Sequence, residues 1–298
     1  MIAAGAQAGA EHTDAVVKNR WVISAYRKLG WAKTRAEQLQ ASVNEYRALD
    51  PINFDFKNSD HPFDPDRAVI KFYAAVEPPM PDWWGLAVGD VLVNLRSALD
   101  HAIIGHARTQ SSGLTERQER SLYFPILDEE AKWEGPSSNK GPARTLPGLI
   151  APAVIDAIRS CQPFASTFPA AEHPLQALNT LVNVDKHREI TVVAYAPHDL
   201  SVDTTKPNRI EILEITPSSN ALVDGALAAT MVIRRPRATT PAAGPRGVSF
   251  DPVPEIGFVE TLPIPGVAEE PGLDVMQVID TLVNGVQSTL DTLKAAGA

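Results

Sequence analysis

The chain lacks the residues and segments that mark several large classes of protein. Its 298 residues include one cysteine, Cys161, which excludes a disulfide framework and a cysteine-based zinc site and is typical of a reducing compartment. Its first residues show no basic segment followed by a long apolar run, so they do not predict a secretory signal. No stretch approaches about 18 consecutive apolar residues, so no membrane span is expected. These absences predict a cytoplasmic protein without a membrane partner.

Familiar catalytic signatures are missing as well. The sequence has no glycine-rich phosphate-binding loop, no G-x-G-x-x-G, no H-E-x-x-H, no paired C-x-x-C and no G-x-S-x-G. Their absence argues against most nucleotide-dependent enzymes, against zinc proteases with that helix motif, and against hydrolases with a nucleophile elbow. The sequence therefore assigns no cofactor.

What the sequence does have is the composition of a folded globular protein. Hydrophobic residues make up 44% and charged residues 21% of the chain. The net charge of −9 argues at first against a nucleic-acid partner. However, residues 248–298 contain eight acidic side chains and one basic, which accounts for −7 of that total. The rest of the chain is nearly neutral, so the acidity does not exclude a polyanionic substrate there.

Hydrophobic periodicity predicts an α+β protein with a mainly antiparallel β-sheet packed against several α-helices, including long N-terminal and C-terminal helices. Turn residues between the first two predicted strands indicate a hairpin, and the four later strands indicate an antiparallel meander. Helices are predicted over 13–49, 83–108, 151–161, 174–187 and 273–295, and strands over 52–56, 68–76, 190–196, 209–215, 227–233 and 256–262.

The domain organisation predicted from this pattern is simple. Residues 1–298 form a single α+β domain, because no composition shift or internal repeat divides the chain. We expect a disordered N-terminus over 1–12. A flexible loop is expected over 234–254, where prolines are frequent.

One polar cluster lies on the otherwise apolar helix predicted over 83–108. Arg96 and Asp100 are four residues apart and can pair. His101 is five residues from Arg96, so the two side chains flank a groove. One row of polar side chains falls within about 60° on the helical wheel: Asp90, Asn94, Ser97, His101 and Arg108.

A second polar cluster lies at the end of the helix predicted over 174–187. Asn179, Asn183 and His187 form a row at spacings of four residues, and Asp185 lies beside them. Asn, Asp and His are mediocre helix formers, so their concentration on two helices favours a shared functional pocket. Both clusters also have a structural explanation, as solvated helix faces and, in the second, as basic residues at a helix C-terminus.

The two clusters carry a resemblance. The segments LRSALDH ending at His101 and NVDKHR ending at Arg188, with Phe124-Pro-Ile between them, resemble a family of uncharacterised bacterial proteins of similar length. The resemblance spans roughly residues 80–190 and implies a shared site without naming its chemistry.

A second similarity is to HEPN domains, which carry an R-x4–6-H motif and include many metal-independent ribonucleases. Arg96 and His101 match that spacing. The resemblance implies that His101 is the acid–base group at the ribose 2′-oxygen and that Arg96 stabilises charge on the phosphorane. It also implies RNA as a partner and a homodimer. Asn94, Asp100, Asp185 and His187 are the expected supporting residues.

Two other functions remain open from the sequence. Asp90, His101, His106, Asp185 and His187 are ligand types that bind Zn, Mn or Fe, which suggests a metal-assisted hydrolase. A non-enzymatic binding or regulatory module is the third hypothesis. It draws on features that could each serve a partner: Trp83-Trp84, the basic segment 234–237 with Arg246, and residues 109–150.

Overall fold

A computed structural model of the chain describes residues 4–110, 113–135, 140–188, 190–195, 211–219, 221–235, 259–266 and 268–298. The fold is α+β, with long helices at both ends and antiparallel sheets, as the sequence predicts. No helix among the described residues is long and apolar enough to cross a membrane.

The secondary structure follows the predicted order closely. Two short 3-10 turns, Pro163–Ala165 and Ala170–Glu172, precede the seventh helix. The helices are α1 (Ala4–Ala48), α2 (Trp84–Gln110), α3 (Glu116–Ser121), α4 (Glu130–Glu134), α5 (Pro142–Thr145), α6 (Pro152–Ser160), α7 (Pro174–His187) and α8 (Val275–Ala295). The strands are β1 (Ile52–Asp60), β2 (Arg67–Val76), β3 (Val193–Tyr195), β4 (Ile212–Pro217), β5 (Leu227–Arg234), β6 (Val259–Ile264) and β7 (Ala268–Asp274).

Helix α2 lies at the centre of the helical core and packs against α1, α7 and α8. The apolar side predicted from its periodicity is buried throughout, so the helical prediction for this segment is confirmed. Each fully buried Leu or Ile side chain contributes about 1.5–3 kcal/mol, and this central helix supplies much of that burial. The buried apolar residues of α2 are Val88, Val91, Leu92, Leu95, Ala98, Leu99, Ala102 and Ile103.

The strands form two antiparallel sheets. The predicted hairpin is confirmed, because β1 pairs with β2 from Ile52–Val76 to Asp60–Ala68. The predicted meander of the four later strands is wrong: β5 lies between β2 and β4, whereas β3 joins β6 and β7 in a second sheet. Strand pairing depends on long-range packing, which local turn signals do not report.

Some element boundaries also differ from the sequence prediction. Helix α1 begins at Ala4, where the sequence predicts disorder followed by a helix from Thr13. Residues 109–150, predicted as a loop, contain three short helices. Strand β7 was not predicted. Of the loop expected over 234–254, the structure describes two residues, and 236–254 lie outside the described part of the chain.

Helix α1 is tied to the C-terminal part of the chain by contacts along its length. The Tyr26 hydroxyl donates to Asp291 on α8, and burial with that carboxylate raises the pKa of Tyr26 to about 12. At the other end, Arg47 Nε donates to both carboxylate oxygens of the fully buried Glu260, at 3.1 and 2.9 Å. These contacts fix the position of α1 beside α2.

Candidate functional site

Helix α2 presents polar side chains on two faces. Because successive helical residues are about 100° apart, Asp90, Asn94 and His101 share the face toward α1. Arg96 and Asp100 share a different face, which looks toward α7 and the segment around Phe124. The sequence places all five on one helix, and the structure gives each face its own neighbours.

The face toward α1 is met by polar side chains of that helix, and we call these contacts the α1–α2 polar row. Asn94 is 9% exposed, and its amide also donates to the Asp90 carbonyl oxygen at 2.7 Å. Asn94 is therefore buried in an interhelical contact, whereas Asp90 at the end of this face remains exposed. The row consists of Arg35 Nε with Asp90 Oδ2 at 3.9 Å, Lys28 Nζ with Asn94 Oδ1 at 3.2 Å, and Ser24 Oγ with His101 Nδ1 at 2.8 Å.

His101 is the titratable group of this row whose pKa is shifted. It is half-buried, and burial is the main cause that lowers its pKa. The positive charges of Lys28 and Arg108 lower the pKa further, while the Asp100 carboxylate raises it. The imidazole is therefore neutral near pH 7. In that form it can accept a proton, as a general base must.

Arg96 and Asp100 form the predicted ion pair and together clamp a buried backbone segment. Arg96 Nη2 lies 3.0 Å from Asp100 Oδ1 and donates to the Phe124 carbonyl oxygen at 2.6 Å. The Phe124 N–H donates to the same Asp100 oxygen at 2.9 Å. The Phe124 side chain is fully buried, so its segment enters the core. The pair thus satisfies both backbone polar groups of Phe124.

The second cluster meets α2 near its N-terminal end. A Cβ atom built on Gly89 would lie 2.6 Å from Asp185 Oδ1, and one built on Gly85 would lie 2.0 Å from the Ile190 carbonyl oxygen. Only glycine at these two positions allows so close an approach. Asp185 is half-buried, whereas His187, the last residue of α7, is exposed.

The predicted site residues therefore occupy three places along α2. Gly89, which Asp185 approaches, lies on the same face of α2 as Arg96 and Asp100. Along the helix axis it precedes Arg96 by about 10 Å, at about 1.5 Å per residue. His101 lies about 18 Å beyond Gly89 by the same measure and on the neighbouring face. The structure groups Asn94 with His101 and Arg96 with Asp100. It places Asp185 and His187 toward the other end of the helix.

His106, a ligand type in the metal hypothesis, belongs to the core. It is 2% exposed, its Nε2 accepts from the Ala151 N–H at 3.2 Å, and burial lowers its pKa. This contact serves the start of α6, since Ala151 is the N-cap residue of that helix. Among the described residues, no group of three or more His, Cys, Asp or Glu side chains is arranged to hold a metal ion.

No protein-family model, curated protein or solved structure matches this chain. The resemblances to a bacterial family and to HEPN domains therefore stay predictions, and so do the roles they imply for Arg96 and His101. The site has to be interpreted from its own contacts.

Ser24 and Lys28 are members of the site that the sequence pattern did not reveal. They are four residues apart on α1, at the edge of its buried face, which is the spacing that brings two side chains to one neighbour. The spacing of Ser24 and Lys28 can be recognised in the sequence. Their contacts with α2 cannot, because these depend on how two long helices are aligned.

A separate open groove lies between α1 and α8 and has a volume of about 580 Å³. Its lining includes one basic side chain, Lys33, and two acidic ones, Glu37 and Asp280. None of the predicted site residues lines it, so the groove and the polar faces of α2 are different features of the surface.

Proposed function

We propose that the protein is a metal-independent ribonuclease in which His101 transfers protons. The observation that carries the proposal is a half-buried imidazole whose pKa is lowered by burial and by two neighbouring cations, Lys28 and Arg108. A neutral imidazole is the form required of a base, and nearby positive charge attracts a phosphodiester. A neutral body before residue 248 is compatible with that substrate.

The proposed reaction uses the ribose 2′-hydroxyl as nucleophile. His101 takes the 2′-hydroxyl proton, the 2′-oxygen bonds to the adjacent phosphorus, and the bond from phosphorus to the 5′-oxygen breaks. The imidazolium then gives its proton to the departing 5′-oxygen. The products are a 2′,3′-cyclic phosphate and a 5′-hydroxyl, so DNA is not a substrate.

The other predicted residues have supporting roles in this proposal. Arg96 and Asp100 are positioning residues, because their polar atoms hold the Phe124 backbone. Asn94 orients Lys28 through its side-chain oxygen. Asp185 and His187, toward the other end of α2, contact a more distant part of the substrate in this proposal. RNA as partner, a homodimer and a cytoplasmic location belong to the same proposal.

The test is RNA cleavage in excess EDTA. His101→Gln should lower kcat/KM by about 10²–10⁴-fold, the usual contribution of a general acid–base group. His61→Gln is the matched control, since His61 lies in the β1–β2 turn, where its ring accepts from the Phe63 N–H. The wild-type kcat/KM should rise with pH, with a midpoint below the ordinary histidine pKa of 6.5.

Other outcomes separate the alternative functions. Cleavage that His101→Gln leaves intact contradicts the proposal. Turnover that requires added metal favours the metal-assisted hydrolase with Asp and His ligands. An absence of RNA turnover under all conditions favours the non-enzymatic binding module.

A further inference from the structure

Strand β1 forms an edge of the four-stranded sheet and is exposed along nearly its whole length. The sheet has the order β1-β2-β5-β4, so β1 has a described neighbour on one side. Of its nine residues, Ile52 is buried, Phe54 is half-buried and the others are exposed. Its pairing with β2 has no bulge and the strand contains no proline. Such an edge is a template for another strand.

The direction of the backbone groups along β1 follows from the bonds at its two ends. The Glu77 N–H donates to the Pro51 carbonyl oxygen at 2.8 Å, and the His61 N–H donates to that of Arg67 at 3.4 Å. Directions alternate along an antiparallel strand. Odd-numbered residues of β1 therefore bond to β2, and the even-numbered residues Phe54, Phe56 and Asn58 direct their N–H and C=O groups outward.

The opposite edge of the sheet differs. Strand β4 carries a register shift between Ile212 and Glu214 and ends at Pro217. Bulges and prolines are two ways in which proteins prevent edge strands from pairing further. Strand β1 has neither.

We infer that β1 pairs with β1 of a second copy of this chain, antiparallel about a twofold axis at Phe56. Phe56 is the central residue of Ile52–Asp60, so this register uses the full length of the strand. It sets Phe56 against Phe56 of the partner subunit, and Phe54 against Asn58. All of these are outward-directed residues, so the copies can exchange about ten backbone hydrogen bonds.

Charge selects this register over its neighbours. With the axis at Phe56, Asp55 of one copy faces Lys57 of the partner subunit, twice by symmetry. Moving the axis to residue 55 or to residue 57 also keeps outward-directed residues opposite one another. Those registers, however, set Asp55 against Asp55 or Lys57 against Lys57, and directly opposed like charges are destabilising.

Within one copy, Lys57 faces another lysine across the pairing of β1 with β2. It lies directly opposite Lys71 on β2, with its ammonium 4.9 Å from the centre of the Tyr73 ring. Among the described residues neither lysine has an ion pair. Asp55 of the partner subunit would offset this like-charge pair, and Phe56, which is 37% exposed, would be covered by its symmetry mate. The inference does not depend on ribonuclease activity.

The first test measures the molar mass of the full-length chain by light scattering after size-exclusion chromatography. A strand-edge interface is small, so the concentration series should reach about 100 µM. The wild type should approach twice the 32.1 kDa of one chain. Asn58→Pro should remain at the monomer mass, because it removes an outward N–H while proline is tolerated on an edge strand. Asn58→Ala keeps that N–H and should dimerise.

Charge exchange tests the register itself. Asp55→Lys and Lys57→Asp should each weaken dimerisation by about tenfold or more, since each change is repeated by symmetry. The double variant Asp55→Lys/Lys57→Asp should restore it. An equimolar mixture of the two single variants should form a heterodimer. A monomeric wild type, a dimer unaffected by Asn58→Pro, or a double variant that stays monomeric would each overturn the inference.

Discussion

The two polar faces of α2 carry similar residue types but differ in what those residues contact. Arg96 and Asp100 bind both backbone polar groups of Phe124, a residue that is fully buried. His101 contacts the Ser24 hydroxyl and remains half-buried. A backbone partner in the core cannot move away, whereas a hydroxyl on a neighbouring helix can rotate. The first face therefore holds the fold together. On the second face, His101 has a partner that can move, as the proposed proton transfer requires.

This difference bears on the R-x4-H spacing. The spacing is compatible with Arg96 and His101 serving one reaction, but the guanidinium is already committed to the Phe124 carbonyl oxygen. A cation near His101 is instead supplied by Lys28 of α1. The comparison thus gives one face a structural role and leaves the other as the place of the proposed chemistry, and each of the following changes tests that division.

The largest expected effect on stability comes from the clamp. Arg96→Met should lower the free energy of unfolding by about 3 kcal/mol, because it leaves the Asp100 carboxylate without its cation and the Phe124 carbonyl oxygen without its donor. His101→Gln should change it by less than about 1 kcal/mol, since it breaks one side-chain contact. Urea denaturation of both variants measures the contrast. Similar losses from the two variants would remove the distinction between the faces.

A second, smaller effect is expected where α7 meets the same face as the clamp. Gly89→Ala should destabilise the protein by about 1–3 kcal/mol, because its Cβ would lie 2.6 Å from Asp185 Oδ1. Adding Asp185→Ala should recover much of that loss. Gly30→Ala on α1 is the matched control: no atom lies within 4 Å of its Cβ, so it should stabilise the helix by about 0.5–1 kcal/mol. Destabilisation that survives Asp185→Ala would contradict this account.

Periodicity was sufficient to predict the helices that build the core. The predicted apolar side of α2 is buried residue by residue, because a helix that packs on one side must repeat its apolar residues every three or four positions. The pairing of Arg96 with Asp100 also followed from spacing alone. Their bonds to Phe124 did not, since a segment 24 residues along the chain from Asp100 can reach that carboxylate only in the folded state.

The elements and contacts that the sequence does not predict also have physical causes. Strand β7 contains Glu269, Glu270, Pro271 and Gly272, a composition that disfavours strands. Its glycine is required, because a Cβ there would lie 2.5 Å from the Leu262 carbonyl oxygen of β6. The contacts of Ser24 and Lys28 with α2 depend on how two long helices are aligned. Between them on α1, Tyr26 bonds to Asp291 of α8, so the position of α1 also depends on a third helix.

The smallest expected effect is a shift in the pKa of His101, which tests the electrostatics of the α2 face toward α1. Lys28→Met removes a positive charge that lowers the pKa of His101, so that pKa should rise. The protonated imidazole then persists to higher pH, and the acid limb of any His101-dependent kcat/KM profile should move in the same direction. NMR titration of the imidazole protons, assigned with His101→Gln, measures the shift without requiring activity.

Lys33→Met is the matched control for this titration. Lys33 lies on the same helix but contacts Gln287 of α8, so its removal should leave the His101 titration where it is. Asp100 opposes Lys28 in setting the His101 pKa, and this opposing effect remains in the variant. A pKa that stays constant or falls in Lys28→Met would mean that the α1–α2 polar row does not tune His101, and its assignment as the proton-transfer group would lose its physical basis.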